Sequence, residues 1–219
     1  MPARPNRLTI GRRTLLLGAG AIGAVAPFPD WAMATGFIPT PGQTEGPFYP
    51  TRFPMDADND LVHVQGAATR ALGTVAHIRG RVLDRAGHPI RGAAVEIWQC
   101  DAQGRYRHPR APGHERFDPG FQGYGRTVVD ADGAYRFRTI KPVPYPGRTP
   151  HIHVAVHRPG GGRFVTQMYV AGEPLNERDG LLNSIGDPLA RQSVTIALIA
   201  ADDLEPGAVK GTFDLVLDV

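Results

Sequence analysis

From about residue 75 onward, apolar and polar positions in this chain alternate in short runs instead of recurring every third or fourth residue. Residues 77–83 (HIRGRVL) open the pattern, and Ala86, Gly87, His88 and Pro89 supply a turn after it. Residues 93–100 (AAVEIWQC) put Val95 and Ile97 on one side and Glu96 and Trp98 on the other. The DADG sequence at 130–133 signals a turn before 134–138 (AYRFR). Alternation returns at 151–157 (HIHVAVH) and 163–170 (RFVTQMYV), an apolar run follows at 194–200, and 211–219 (GTFDLVLDV) reads as a last strand. No long stretch carries a 3.6-residue period. Short strands joined by turn residues predict an all-β fold, a two-sheet β-sandwich over 75–219. Residues 35–74, rich in Pro and Asp at their start, predict an extended arm with little regular structure.

Composition agrees with the pattern. At 219 residues the chain fits one domain plus a leader, and 42% hydrophobic residues suffice for a core. The 27 Gly and 21 Pro favour many short elements joined by tight turns and long loops. Residues 1–34 read as an export signal. Arg4, Arg7, Arg12 and Arg13 precede an apolar run at 14–26, and Ala32-Met33-Ala34 is a small-x-small cleavage pattern. That run falls short of the roughly 20 residues needed to span a bilayer, so cleavage near Ala34, with no stable membrane anchor, is expected. Arg12-Arg13 directly before the run resembles a twin-arginine signal, which implies export to the periplasm or beyond by machinery that carries folded proteins. Removing the leader's four Arg and one Asp from 24 basic and 21 acidic residues leaves 20 of each. The mature protein is near neutral, and no Lys/Arg-rich run outside the leader suggests nucleic-acid binding. Cys100 is the sole cysteine, which excludes an intrachain disulfide and suits a small buried residue.

Within the run at 151–157, His151 and His153 stand two apart, so a strand projects both imidazoles from one face while Ile152, Val154 and Val156 pack the other. Such a pair can give one metal two nitrogen ligands, or can simply share a polar face. His157 continues the row as an ordinary surface or supporting histidine. Tyr145 is flanked by Pro144 and Pro146, which hold an extended backbone. Tyr106 follows the segment ending at Cys100. Taken singly, each tyrosine reads as structural.

Together these residues carry a resemblance. The chain resembles the intradiol ring-cleavage dioxygenases, the group of catechol, hydroxyquinol and protocatechuate dioxygenases, from about Thr40 to its end. The carriers are 40–49 (TPGQTEGPFY), 95–99 (VEIWQ) leading to Gly104-Arg105-Tyr106, 123–126 (GYGR), 130–138 (DADGAYRFR), Tyr145-Pro146, 148–153 (RTPHIH) and 167–169 (QMY). The resemblance implies a non-haem Fe(III) held by Tyr106, Tyr145, His151 and His153, with Tyr145 and His153 axial. It implies O2-dependent opening of a small aromatic diol to a muconate-type dicarboxylic acid, with Tyr145 taking a substrate proton as it leaves the metal. Arg148 would stabilise negative charge on the substrate, and Gln167 would stand near the iron. Trp98 and Gln99 would pack and orient the site, while Thr44, Gly46, Pro47, Gly123 and Tyr124 would line the pocket. Fe(III) is a hard cation that favours anionic oxygen and accepts imidazole, so the donor set suits it.

The chain departs from the family's well-known cytoplasmic members in two ways. Only Pro146 and Gly147 separate Tyr145 from Arg148, a connection much shorter than theirs, and the helical N-terminal extension that some use to dimerise is missing. Substrate identity and assembly therefore do not carry over. One rival comes from a different class. The region 77–138 also resembles transthyretin-like and carboxypeptidase-accessory β-sandwiches, which bind or mediate contacts without catalysis and do not need the two tyrosines with the histidine pair. A Zn(II) or Cu(II) site would use the same histidines, but Zn(II) sites are built mainly from Cys, His and carboxylate. No carboxylate lies near the pair in sequence, which argues against a two-His-one-carboxylate Fe(II) site.

Overall fold

Ten strands form two five-stranded sheets over residues 37–219, the part of the chain that the computed structural model describes; the expected leader lies outside these residues. The first sheet contains β1 (Val75–Asp84), β4 (Ala134–Ile140), β8 (Ile199–Ala200), β9 (Val209–Thr212) and β10 (Leu215–Leu217). The second runs in the order β3 (Tyr124–Val128), β2 (Ala94–Trp98), β5 (His151–His157), β6 (Arg163–Val170) and β7 (Thr195–Ile196). The sheets bury their facing rows against each other: Ile78, Val82 and Phe137 from the first meet Ile97, Ile152 and Val154 from the second in one apolar core. This is the two-sheet β-sandwich that the alternating pattern predicts.

The final strand expected at 211–219 is two strands. β9 and β10 pair in parallel with successive halves of β1, Arg79 opposite Thr212 and Val82 opposite Leu215. At the break Phe213 N–H donates to the Arg79 carbonyl, Arg81 N–H donates to the Asp214 carboxylate, and the Tyr135 hydroxyl donates to the Phe213 carbonyl. Gly80 makes this possible, because a Cβ there would sit 1.8 Å from the Phe213 oxygen. The run at 194–200 is also divided, its first part in the second sheet and its last in the first. Two short helices, α1 (Gly180–Asn183) and α2 (Pro188–Ser193), follow β6. Asp179 and Asp187 cap them by accepting two backbone N–H groups each.

The arm has no strand among its described residues, as expected, yet it is tied down along its length. Thr40 N–H donates to Val216, Gln43 N–H to Val165 and Leu61 N–H to Arg138, so it touches edges of both sheets. Leu61 and Val62 are fully buried in the core. Arg138 fastens this stretch through Asp60 (3.0 Å) and also holds Glu205 (2.9 Å).

Two substitutions test the β9–β10 crossing. Gly80→Ala forces a methyl into a backbone carbonyl and is expected to cost at least about 2 kcal/mol. Tyr135→Phe leaves the Phe213 carbonyl without its buried donor and is expected to cost about 1–3 kcal/mol. Denaturant unfolding measures both.

Candidate active site

The second sheet has two faces, and the site is built on the one turned away from the core. Cross-strand pairing puts Trp98 opposite His153, His153 opposite Gln167, and His151 opposite Tyr169. Directly paired residues share a face, so these five side chains form one patch at the end of the sheet. The Trp98 ring lies parallel to His153, centroids 4.9 Å apart, and fixes its orientation. The arm and the 99–123 loop cover the patch, closing a second apolar cluster around Trp98, Cys100, Tyr106, Phe48 and Tyr49.

Each tyrosine arrives on a turn. Asp101 is fully buried and accepts the N–H groups of Gln103 and Arg105 on one oxygen and that of Asp118 on the other. It thereby shapes the turn at Gly104 (φ 77°) that delivers Tyr106. A Cβ on Gly104 would stand 3.1 Å from the Pro144 carbonyl, so the loops carrying the two tyrosines pack directly together. The second is a four-residue turn, Tyr145-Pro146-Gly147-Arg148, closed by Arg148 N–H donating to the Tyr145 carbonyl (2.9 Å) with Gly147 at φ 83°. Pro at the second position and a positive-φ Gly at the third suit a type II turn, which places Tyr145 and Arg148 side by side.

The four donors converge. The Nε2 atoms of His151 and His153 face each other at 3.3 Å. The Tyr145 ring is 5.5 Å from Tyr106 and 5.4 Å from His151, and Tyr106 is 6.1 Å from His153, between centroids. Nδ1–H of His151 donates to the Thr149 carbonyl (2.7 Å), so its Nε2 is unprotonated and faces Arg148 Nη1 at 3.4 Å. Burial, aided by the Arg148 charge, lowers the His151 pKa to about 4; burial and the neighbouring His151 take His153 well below its usual value. Both imidazoles are therefore neutral at neutral pH. Burial pushes the Tyr106 phenol well above its ordinary value, and burial also raises Tyr145. The Tyr106 hydroxyl is buried with no hydrogen-bond partner among the described residues. A cation between these groups would meet the Nε2 atoms of both imidazoles and the Tyr106 phenol, and its charge would offset the burial penalty on tyrosinate. Among the described residues no cluster of three His, Cys, Asp or Glu side chains is arranged to hold a metal.

The sequence and fold have relatives. The dioxygenase family model matches residues 44–219. The chain is 40% identical over 169 residues to the protocatechuate 3,4-dioxygenase beta chain of Burkholderia cepacia, covering 73% of this chain and 71% of that one. The chain belongs to the intradiol dioxygenase family. A hydroxyquinol 1,2-dioxygenase of Corynebacterium glutamicum is 32% identical over 140 residues, 56% of this dioxygenase but only 44% of that relative. Among solved structures, the dioxygenase domain of a dioxygenase–carbohydrate-binding protein fusion from the cellulolytic bacterium Streptomyces sp. SirexAA-E superposes with a TM-score of 0.64 at 35% identity. That match covers 83% of this chain and 99% of the domain. The family assignment makes this chain a ring-cleaving oxidoreductase and removes the accessory-module reading.

The remaining expected site residues of this dioxygenase are distributed unevenly. Arg148 is at the site: Nη1 lies 3.5 Å from the Tyr145 hydroxyl and 3.4 Å from His151 Nε2. Gln167 is beside it but occupied, accepting from Arg148 Nη2 (2.6 Å) and donating to the Thr44 carbonyl (3.1 Å). Gly46 lies over His153, while Pro47 takes Arg110 on its carbonyl. Gly123 and Tyr124 stand at the β3 side of Trp98, with that ring between Tyr124 and His153. Trp98 and Gln99 part company: Gln99 donates to Ile140 and accepts from Thr139, joining β2 to β4 away from the histidines. Cys100 is buried, and burial with the adjacent Asp101 charge pushes its thiol up to about 12, so it stays protonated. His157 sits 3.1 Å from the buried Glu96, a supporting role as expected. A groove of about 1100 Å³ that includes Arg79, Arg136 and Lys210 of the first sheet shares no residue with the site.

Two residues escaped the sequence reading. Tyr169 is two positions past Gln167 and shares its face, so alternation marks it; its hydroxyl lies 3.2 Å from Gln167 Oε1 and 3.4 Å from Arg148. Asp179, which binds Arg148, sits at the N-cap of α1, and nothing local shows that its other oxygen reaches Arg148.

Gly46 has φ 76°, and a Cβ there would stand 3.1 Å from His153 Cε1. Gly46→Ala should therefore strain the arm and press on His153, costing about 1 kcal/mol or more. A lower thermal midpoint together with reduced metal retention is the expected result.

Proposed function

We propose that this dioxygenase opens a catechol-type ring between its two hydroxyl-bearing carbons, with O2 and Fe(III) held by Tyr106, Tyr145, His151 and His153, giving a muconate-type dicarboxylic acid. The observation that carries this reading is the convergence of two neutral imidazoles and two tyrosines next to a partly buried arginine. When bound, Fe(III) supplies the Lewis acidity that makes a chelated catecholate ring reactive towards O2. The chain's own groups do the rest.

Tyr106, His151 and His153 are buried and rigidly supported, which suits them as permanent ligands. Tyr145 is only half-buried, at the start of a turn, so of the four residues that would hold the metal it is the one most accessible to substrate. With iron bound, Tyr145 would be a tyrosinate, and its oxygen would be the base for a substrate hydroxyl proton. Arg148 Nη1, already beside that oxygen, would present positive charge to a substrate anion bound there. Trp98, Phe48 and Tyr49 exclude water from the protected side. Export of the folded, metal-loaded enzyme belongs to the same proposal and rests on Arg12-Arg13 before the apolar run; a mature N-terminus at Met1 in exported material would contradict it.

Metal analysis with a visible spectrum tests the centre. Iron with a tyrosinate charge-transfer colour, shifted by catechol without O2, is expected; a colourless, iron-free protein that cannot be reconstituted overturns the reading. Tyr106→Phe and His151→Ala should lose iron and colour. Tyr145→Phe should keep partial iron but lose most turnover. Arg148→Ala should bind catechol and turn over at least about tenfold more slowly. O2 uptake and product mass across catechol, hydroxyquinol, protocatechuate and larger diols identify the ring that is opened.

A further inference from the structure

We propose that Asp179 is a positioning residue that sets Arg148 and His151 together from a single carboxylate; this rests on Arg148 acting on the reacting substrate, as proposed above. One oxygen of Asp179 accepts from Arg148 Nε (2.8 Å) and from Thr149 N–H (3.0 Å). The other accepts the N–H groups of Leu181 and Leu182, both at 3.0 Å, at the start of α1. The Thr149 carbonyl in turn receives His151 Nδ1–H. One acid thus fixes the direction of the guanidinium and holds Thr149, whose carbonyl sets the tautomer of a candidate metal ligand.

The geometry explains why a charge is needed here. The Asp179 side chain is fully buried, and four donors meet its two oxygens, so it is saturated and has no free oxygen to carry a proton. It holds Arg148 at Nε, and Gln167 with Tyr169 holds Nη2. Only Nη1 remains directed at the Tyr145 hydroxyl and His151 Nε2. The Arg148 side chain is 15% exposed, so solvent is within reach of a guanidinium that loses its partner. A cation at the four donors would repel it outward. Asp179 opposes that displacement, and its own anchoring to the N–H groups of α1 keeps it from following the arginine.

Asp179→Asn removes the charge while keeping an oxygen and a good N-cap residue. The holoenzymes of wild type, Asp179→Asn, Arg148→Ala and the double variant are compared with catechol, or the fastest-cleaved diol of the panel. The readouts are kcat, anaerobic Kd for the same diol, and thermal midpoint. The expected result for Asp179→Asn is a kcat lower by about tenfold or more with Kd changed less than about threefold. The double variant should be no slower than Arg148→Ala, because Asp179 works through that arginine. If Arg148→Ala is slow and Asp179→Asn is within twofold of wild type, the positioning role is overturned and the role of Arg148 stands. Unchanged turnover in Arg148→Ala overturns the underlying reading itself. Losses that multiply in the double variant, or a fall in activity that tracks only thermal midpoint and iron content, assign Asp179 to stability and overturn the proposal. Should Asp179→Asn fail to yield holoenzyme, Asp179→Ser replaces it; failure of both also assigns the residue to folding alone.

Discussion

The period of two in β5 is the constraint on which the site depends. Ile152, Val154 and Val156 must face the other sheet to complete the core, so His151 and His153 must face away from it. The chemistry is therefore assembled outside the sandwich, where a bare sheet face would meet water. The arm and the 99–123 loop supply the missing cover, and both bring residues with them: Gly46, Phe48 and Tyr49 from one, Tyr106 from the other. The long irregular segments roof the site; without them the two imidazoles would be solvated.

The roof creates an electrostatic demand that the site meets with paired groups. Burial keeps both imidazoles neutral and disfavours tyrosinate, so either tyrosine would ionise here only beside compensating positive charge. The partly buried Arg148 nearby is desolvated, which lowers its pKa, but Asp179 with Tyr145 and Tyr169 more than offsets this and raises it. The same Arg–Asp contact restrains the turn carrying Tyr145, because Arg148 closes that turn through its backbone. Structure and charge balance are thus joined in the short segment from Tyr145 to His151.

Much of this was legible before any coordinates. Alternation at 151–157 put the histidines on one face, and Pro146-Gly147 between Tyr145 and Arg148 announced a tight turn. Ordered motifs from 40–49 to 167–169 named the family. Those features are local, because strand period and turn conformation depend on neighbouring residues. Boundaries were less legible. The runs at 194–200 and 211–219 were read as single strands, yet each is divided, because contacts with a distant strand, such as Phe213 over Gly80, decide where pairing breaks.

What only tertiary structure decided is which side chains share space. Trp98 and Gln99 are adjacent in sequence and point to opposite faces, so one stacks on His153 and the other joins β4. Asp179 is 31 positions from Arg148 and contributes the fully buried carboxylate at its guanidinium. No periodicity links them, since a loop side chain's partner is set by how whole segments pack. The sequence by itself determined the fold class, the family and the donor types. The folded chain decided their convergence, the direction of the arginine and the tautomer of His151, because each requires groups brought together from separate segments.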